Sequence, residues 1–392
     1  MGAGLLLASL PVLSAAPLPL AELPEVNELA NPFVFENGKP VKRSRQWEAR
    51  REELKALFED YQYGSLPPKP EQMDIVAGEI VINDVLGVSI QDFVLDMHHG
   101  DGALKLHFRL HLPLDRVGRL PVFIQSGNGG GPPPPPSRFR RPEPTEPSVY
   151  TRHGYASAVF RFNEMAADNR DTYRESGIYS LFGDDIDTGG LMAWAWGMHR
   201  VVDALLTMDR IDPDRIAVTG HSRNGKAALI AGAFDERITL TVPQHSGCAG
   251  AAPYRFIYGN NEQLHNIAGF APQWFRPDFN RFVDHVNQLP VDQHLLKALV
   301  APRAMMSTEG SEDNWTNPQG SQLTYRAARE VYQFLGVPEL ISIKTRPTGH
   351  VPSHEDAVAF ADHVFFGKPL TTGFGQLEYE PDSSGFDWRA PR

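Results

Sequence analysis

Apolar and polar residues along this chain fall into stretches of different period, and each period predicts an element. From Asn31 the chain runs into RSRQWEARREELKALFEDYQY, where Trp47, Leu54 and Leu57 line one face of a charged amphipathic helix. Residues 74–112 alternate apolar with polar positions and break at Asn83-Asp84 and Gly100-Asp101-Gly102, as antiparallel strands joined by turns do. The runs RLPVFIQSG (119–127) and YASAVFRF (155–162) are more continuously apolar and read as buried strands. A helix is expected over about 190–208, then a strand ending at Gly220, a helix beyond it, and a strand in ITLTVPQHSG (238–247). RAMMST (303–308) and LISIKT (340–345) are further strands, with helices near 321–335 and 354–366. Residues 248–282, rich in Gly, Asn, Pro and aromatics, suit a binding loop better than packed secondary structure. Strands alternating with helices in this way predict the α/β class: a mostly parallel sheet covered on both faces, with antiparallel strands on its N-terminal side.

One junction stands out. In RIAVTGHSRNGKAAL (215–229) an apolar strand breaks at Gly220, turns through Ser222 and resumes as a helix former. A serine at such a turn is pushed out above the sheet edge, and the first N–H groups of the helix point where an acyl oxyanion would form. Ser222 is therefore the candidate nucleophile. The usual elbow is spelled G-x-S-x-G; here Asn224 occupies the second glycine position and Gly225 follows one place late. A plain glycine-containing strand-to-helix turn is the competing reading of these residues.

Composition narrows the function classes. An apolar fraction of 41% over 392 residues suits a globular core, and a net charge of -11 disfavours attraction to nucleic acid or anionic lipid. The single cysteine, Cys248, excludes an intrachain disulfide and any cysteine-based metal site, and reads as a small buried residue. Residues 1–20 hold an apolar stretch ending in small residues, too short and proline-broken to span a membrane. No Lys or Arg precedes it, so residues 1–22 read as the remnant of an export signal and the protein as secreted or periplasmic. Residues 23–392 are then expected to form one catalytic domain, wrapped by its own segment at about 31–70. GNGGGPPPPP (127–136) admits two readings, an oxyanion-loop glycine run or an exposed loop stiffened by polyproline.

A serine needs a base to take its proton, and the base needs a carboxylate to hold its tautomer. In α/β-hydrolases these follow the nucleophile in the order acid, then histidine, on loops after later strands. His350 sits directly after the last expected strand, in the context T-G-H, and is preferred to His354, which opens the last helix. His221, adjacent to the serine, is assigned to support of the turn, and His98, His99, His107 and His111 to the early strands. Glu309, Glu312 and Asp313 compete as the acid; the G-x-x-D spacing from Gly310 favours Asp313, and the two glutamates read as solvated loop charges.

With these residues in place the chain closely resembles the bacterial-type glucuronoyl esterases of carbohydrate esterase family 15, which are α/β-hydrolases. The resemblance runs from about Asn31 to Leu370 and is carried by AWAWGMHRVVDAL (193–205), GHSRNGK (220–226), VPQHSG (242–247), SEDNW (311–315) and TGH (348–350). It implies cleavage of esters that join glucuronic acid groups of xylan to lignin alcohols, with Ser222 attacking the uronoyl carbonyl and His350 as base. It implies that Arg223 stabilises the oxyanion, that Lys226 hydrogen-bonds sugar hydroxyls, and that Glu262 and Trp315 hold the glucuronoyl ring. Fungal members carry glutamate in PQESG where this chain has His245, and a histidine cannot be the negative partner of an imidazolium. That departure raises Asp313 as the acid. The implied partner is glucuronoxylan or another lignin-carbohydrate ester, with no cofactor, no nucleic acid, no membrane and a monomeric chain. Two alternatives stay open: an esterase of the same fold acting on acetylated xylan or a similar ester, and a non-catalytic carbohydrate-binding relative.

Overall fold

The computed structural model describes residues 17–127 and 146–392. Most of the apolar N-terminal stretch and all of the glycine–proline run after Gly127 lie outside the described residues. Among the described residues nine strands form one sheet. β1 (Gln72–Asn83), β2 (Val88–His99) and β3 (Gly102–Pro113) form the antiparallel part, and β3 meets β5 (Ala156–Arg161) antiparallel. From β5 onward the sheet is parallel through β4 (Leu120–Gly127), β6 (Ile211–His221), β7 (Leu240–Gln244), β8 (Ala304–Gly310) and β9 (Ile341–Arg346). The order across the sheet is β1-β2-β3-β5-β4-β6-β7-β8-β9.

The period-2 geometry of the central strands explains their continuous apolarity, because neighbouring side chains enter different cores. Val122, Ile124, Ile216 and Val218 join the large core, while Phe123 and Ala217 between them join a second core with Val242, Met306 and Phe360. The large core is built with α1 (Trp47–Phe58), α4 (Gly190–Leu205), α5 (Arg223–Phe234), α7 (Gln293–Val300) and α8 (Pro318–Phe334). The other face is covered by α2 (Val149–Arg152) and α9 (His354–Phe366). Short helices α3 (Ile178–Phe182) and α6 (Leu264–Phe270) sit in the connecting segments.

On α1 the buried stripe is Trp47, Arg50, Arg51, Leu54 and Phe58, and the expected Leu57 packs partly buried against the same core. Two expectations are corrected. The expected loop over 248–282 contains α6 and short 3-10 turns around Trp274 and Phe279. Glu309 is not a solvated loop charge: β8 continues through it to Gly310, and its side chain is fully buried. Burial raises the Glu309 pKa, and it lowers that of Lys297, an equally buried lysine from α7 whose charge acts on Glu309. The charge of Lys297 acts against the rise at Glu309 without cancelling it.

A candidate active site at the carboxyl ends of the parallel strands

The carboxyl ends of β6, β7, β8 and β9 converge on a cavity of about 570 Å³ lined by Ser222, Arg223, Lys226, His245, Glu262, Asp313, Trp315 and His350. The residues expected to carry catalysis and sugar binding all line it, whereas the rejected candidates Glu309, Glu312, His221 and His354 do not. Open α/β sheets place sites here because the loops leaving parallel strands share one edge.

Ser222 ends the β6 turn with φ 60 and ψ -127, a backbone state that costs a side-chain-bearing residue roughly 1–3 kcal/mol. Close packing behind it enforces the turn. A Cβ on Gly220 would lie 2.2 Å from the Asn224 carbonyl oxygen, and one on Gly225 would lie 2.9 Å from the Gly220 oxygen and 3.0 Å from the Gln244 oxygen. The second small residue of the elbow is thus needed at 225, where α5 crosses β6 and β7, and Asn224 is free to differ. The Ser222 N–H donates to the Gln244 carbonyl at 2.9 Å, which ties the turn to β7.

His350 Nδ1 lies 2.7 Å from Asp313 Oδ2, and His245 Nδ1 lies 2.9 Å from the same oxygen. Asp313 is nearly buried and His245 fully so, whereas the His350 side chain is 41% exposed toward the cavity. Burial alone would raise the Asp313 carboxyl, but hydrogen bonds from His245, His350 and Thr316 outweigh it and hold the group well below the usual carboxylate range. An anionic Asp313 accepts from both rings, so each imidazole carries its proton on Nδ1. That leaves His350 Nε2 as the acceptor facing the cavity. No hydrogen bond links Ser222 Oγ to His350 among the described residues. His221 lies tilted against His350, ring centroids 4.3 Å apart, and is pushed down to about 4 by burial and by His350 and His245.

His245, Asp313 and His350 are also a set whose donor atoms lie within 4.8 Å of one another, close enough to hold a metal ion. The separations of 2.7 and 2.9 Å are hydrogen-bond lengths. Ligands about 2.0–2.1 Å from a tetrahedral ion would stand roughly 3.3 Å apart, so this arrangement fits shared protons better than a cation.

The opposite wall is built on α5. Lys226, one turn beyond Ser222, is buried, and its ammonium donates to the carbonyls of Ser246 at 2.7 Å and Cys248 at 2.5 Å and to Glu262 Oε2 at 3.0 Å. Three acceptors match its three N–H bonds, so Lys226 reaches a ligand by sharing a donor or through Glu262. Trp315 is 43% exposed at the rim, and Phe270 is 47% exposed nearby. Sequence reasoning missed Asp168, Phe270, Gln273 and Trp274, which complete the wall.

A parallel sheet entered through antiparallel strands, a serine on a strained strand-to-helix turn, and a histidine bonded to a buried carboxylate at neighbouring strand ends define an α/β-hydrolase. The model of the family described as "Glucuronyl esterase, fungi" matches residues 97–336, more than half of the chain. The chain belongs to the glucuronoyl esterase family. It is 33% identical over 322 residues to a 4-O-methyl-glucuronoyl methylesterase of Podospora anserina, a match covering 80% of this chain and 61% of that relative's length. A family 15 glucuronoyl esterase from Caldicellulosiruptor kristjansonii superposes with a TM-score of 0.79 at 31% identity, covering 95% of this chain and 99% of that one. A glucuronoyl esterase from Sporotrichum thermophile, solved as a serine-to-alanine mutant with methyl 4-O-methyl-beta-D-glucopyranuronate, superposes with a TM-score of 0.75 at 26% identity over 92% of this chain and 93% of that one.

Proposed function

We propose that the chain is a serine esterase that hydrolyses esters of glucuronic acid or its 4-O-methyl ether with the alcohols of lignin. The observation that carries the reading is a shared cavity in which Ser222 and the Asp313-bonded His350 face the Lys226–Glu262 pair. A buried carboxylate and ammonium held together suit a polyhydroxylated ring, and the related structure holding a methyl glucuronate ester supports the uronoyl assignment.

In this reading Ser222 Oγ attacks the uronoyl carbonyl while His350 Nε2 takes its proton, and Asp313 stabilises the imidazolium through Nδ1. The tetrahedral oxyanion is met by the Arg223 guanidinium and by the first N–H groups of α5, which have no acceptor within the helix. Collapse expels the alcohol, which receives the proton from His350. Water activated by the same histidine then splits the acyl-enzyme. Glu262, steered by Lys226, and Trp315 orient the sugar ring. The chemistry calls for no cofactor. Export from the cytoplasm, a single catalytic domain over residues 23–392 and a monomeric state belong to the same proposal; the apolar character of residues 1–20 and the polymeric nature of a lignin-carbohydrate substrate support export. No helix among the described residues is long and apolar enough to cross a membrane.

The test compares benzyl glucuronate with aryl acetates of similar leaving group. A site built on sugar hydroxyls leaves buried polar groups unpaired when the ligand lacks them, so kcat/KM should favour the uronate by about ten-thousandfold or more. Ser222→Ala should abolish turnover with the fold intact. Equal efficiency on both esters would assign the site to general esters, and full activity in Ser222→Ala would end the hydrolase reading.

A further inference from the structure

Asp168, on the segment after β5, links the two walls of the cavity. Its Oδ2 lies 3.2 Å from Arg223 Nε, while its Oδ1 accepts from Trp274 Nε1 at 2.7 Å and from Gln273 Nε2 at 3.0 Å. We propose that Asp168 is the positioning residue for Arg223, clamping the guanidinium through Nε so that its terminal nitrogens point at the developing oxyanion. The inference rests on the reading of Arg223 as an oxyanion donor.

Three features of the structure carry it. First, Arg223 needs an anchor. Its side chain is 48% exposed, and a long side chain on the first turn of a helix would otherwise share its time among rotamers. Second, the anchor is itself fixed. The Asp168 carboxylate is 15% exposed, its backbone N–H donates to Asn163 Oδ1 at 3.1 Å, and its segment is tied to buried α4 by Trp194 Nε1 donating to the Ala166 carbonyl at 2.9 Å. A group aimed by a rigid support is already in place when charge develops. Third, the attachment is at Nε, the nitrogen least useful to a ligand approaching the end of the fork. The Phe162 ring, 5.8 Å from the guanidinium carbon, lies beneath it and helps fix its plane.

The sign of the effect distinguishes this role from simple electrostatics. A carboxylate beside a forming oxyanion repels it, so as a bare charge Asp168 would slow the reaction, and its removal would raise kcat. As a clamp it speeds the reaction, and its loss lowers kcat. Asp168→Asn separates the two. The amide oxygen can still accept from Trp274 and Gln273, whereas a neutral NH2 replaces the carboxylate oxygen that stands 3.2 Å from Arg223 Nε, and the ion pair is lost.

The expected result with benzyl glucuronate is a fall in kcat of about ten- to a hundredfold, the scale for a misplaced catalytic group, with KM changed less than about threefold. In an Arg223→Ala background the same substitution should have no further effect, because a clamp has nothing left to hold. An unchanged or raised kcat in Asp168→Asn overturns the proposal, as do effects that multiply in the double variant. If the asparagine variant does not fold, Asp168→Glu reads the same aim: the charge stays, the arm lengthens by one methylene, and kcat should fall with KM little changed. A normal kcat in that variant also overturns the clamp. Normal turnover in Arg223→Ala would instead defeat the oxyanion reading, so the two failures are distinguishable.

Discussion

Replacing Asp313 by asparagine removes one negative charge and almost no volume, which makes it the sharpest probe of the proposed chemistry. Asp313 Oδ2 accepts from both His350 and His245, at 2.7 and 2.9 Å. An amide oxygen placed there could keep both contacts, so the minimum loss is the attraction between carboxylate and imidazolium. Two unit charges about 4 Å apart at an effective dielectric of about 20 attract by roughly 4 kcal/mol. His350 is 41% exposed, and solvent screening takes part of that. Between about 3 and 4 kcal/mol of transition-state stabilisation corresponds to about a hundred- to a thousandfold in kcat. If the amide instead turns its NH2 toward His350, the ring is forced into the wrong tautomer, and the loss approaches about ten-thousandfold, the serine-protease precedent. Initial rates on benzyl glucuronate under saturating substrate, with circular dichroism to establish folding, give the measurement. A folded Asp313→Asn enzyme within about threefold of the parent kcat would refute the assignment. Adding His245→Glu to that variant should restore part of the rate, because residue 245 already lies within hydrogen-bond reach of the same network.

Two further outcomes follow from the geometry. Lys226→Met leaves buried Glu262 without its cation and two carbonyls without a donor. It should cost about 3–5 kcal/mol of stability in chemical denaturation, and it should slow benzyl glucuronate hydrolysis far more than aryl acetate hydrolysis; equal losses on both esters would remove Lys226 from sugar recognition. His199, His294 and His221 are each lowered to about 4, principally by burial. A histidine whose folded pKa lies below its unfolded value near 6.5 binds its proton more readily when unfolded. Stability should therefore be full above about pH 6.5 and decline as pH falls from there toward 4, by about 1.4 kcal/mol per pH unit for each such histidine. Denaturant titrations from pH 7.5 to 4.5 measure the slope, and a flat profile across that window contradicts the neutral burial of these rings.

How much of this was legible in the sequence depended on how local the signal was. The elbow could be read because strand, turn and helix are contiguous, and the Asp313–His350 pair because chain order in an α/β sheet fixes which strand ends become neighbours. The eight-residue helix Gln293–Val300 escaped because it is little more than two turns long: Gln293, His294 and Lys297 do share one face, but the signal is short and the fold buries that face with the rest. Glu309 was misread for a related reason: a carboxyl at a strand end looks solvated until the fold buries it. Asp168 gave no signal. It sits in the polar stretch AADNRD, and its partners Arg223, Gln273 and Trp274 meet it only through the tertiary fold.

His245 and Asp313 act as one unit, because His245 shares Asp313 Oδ2 with His350. The site holds one carboxylate between two imidazoles, and these two donors, with Thr316, offset the cost of burying its charge. In return His245 leaves its Nε2 buried without a partner, a cost of about 1–3 kcal/mol that only a needed Nδ1–H would justify. A glutamate at 245, where the resemblance places one in fungal members, would bring a second negative charge against Asp313 and force the two to share a proton. Acid and histidine therefore exchange places as a pair: His245→Glu alone should disable the site, and the same substitution becomes productive only once residue 313 has lost its charge.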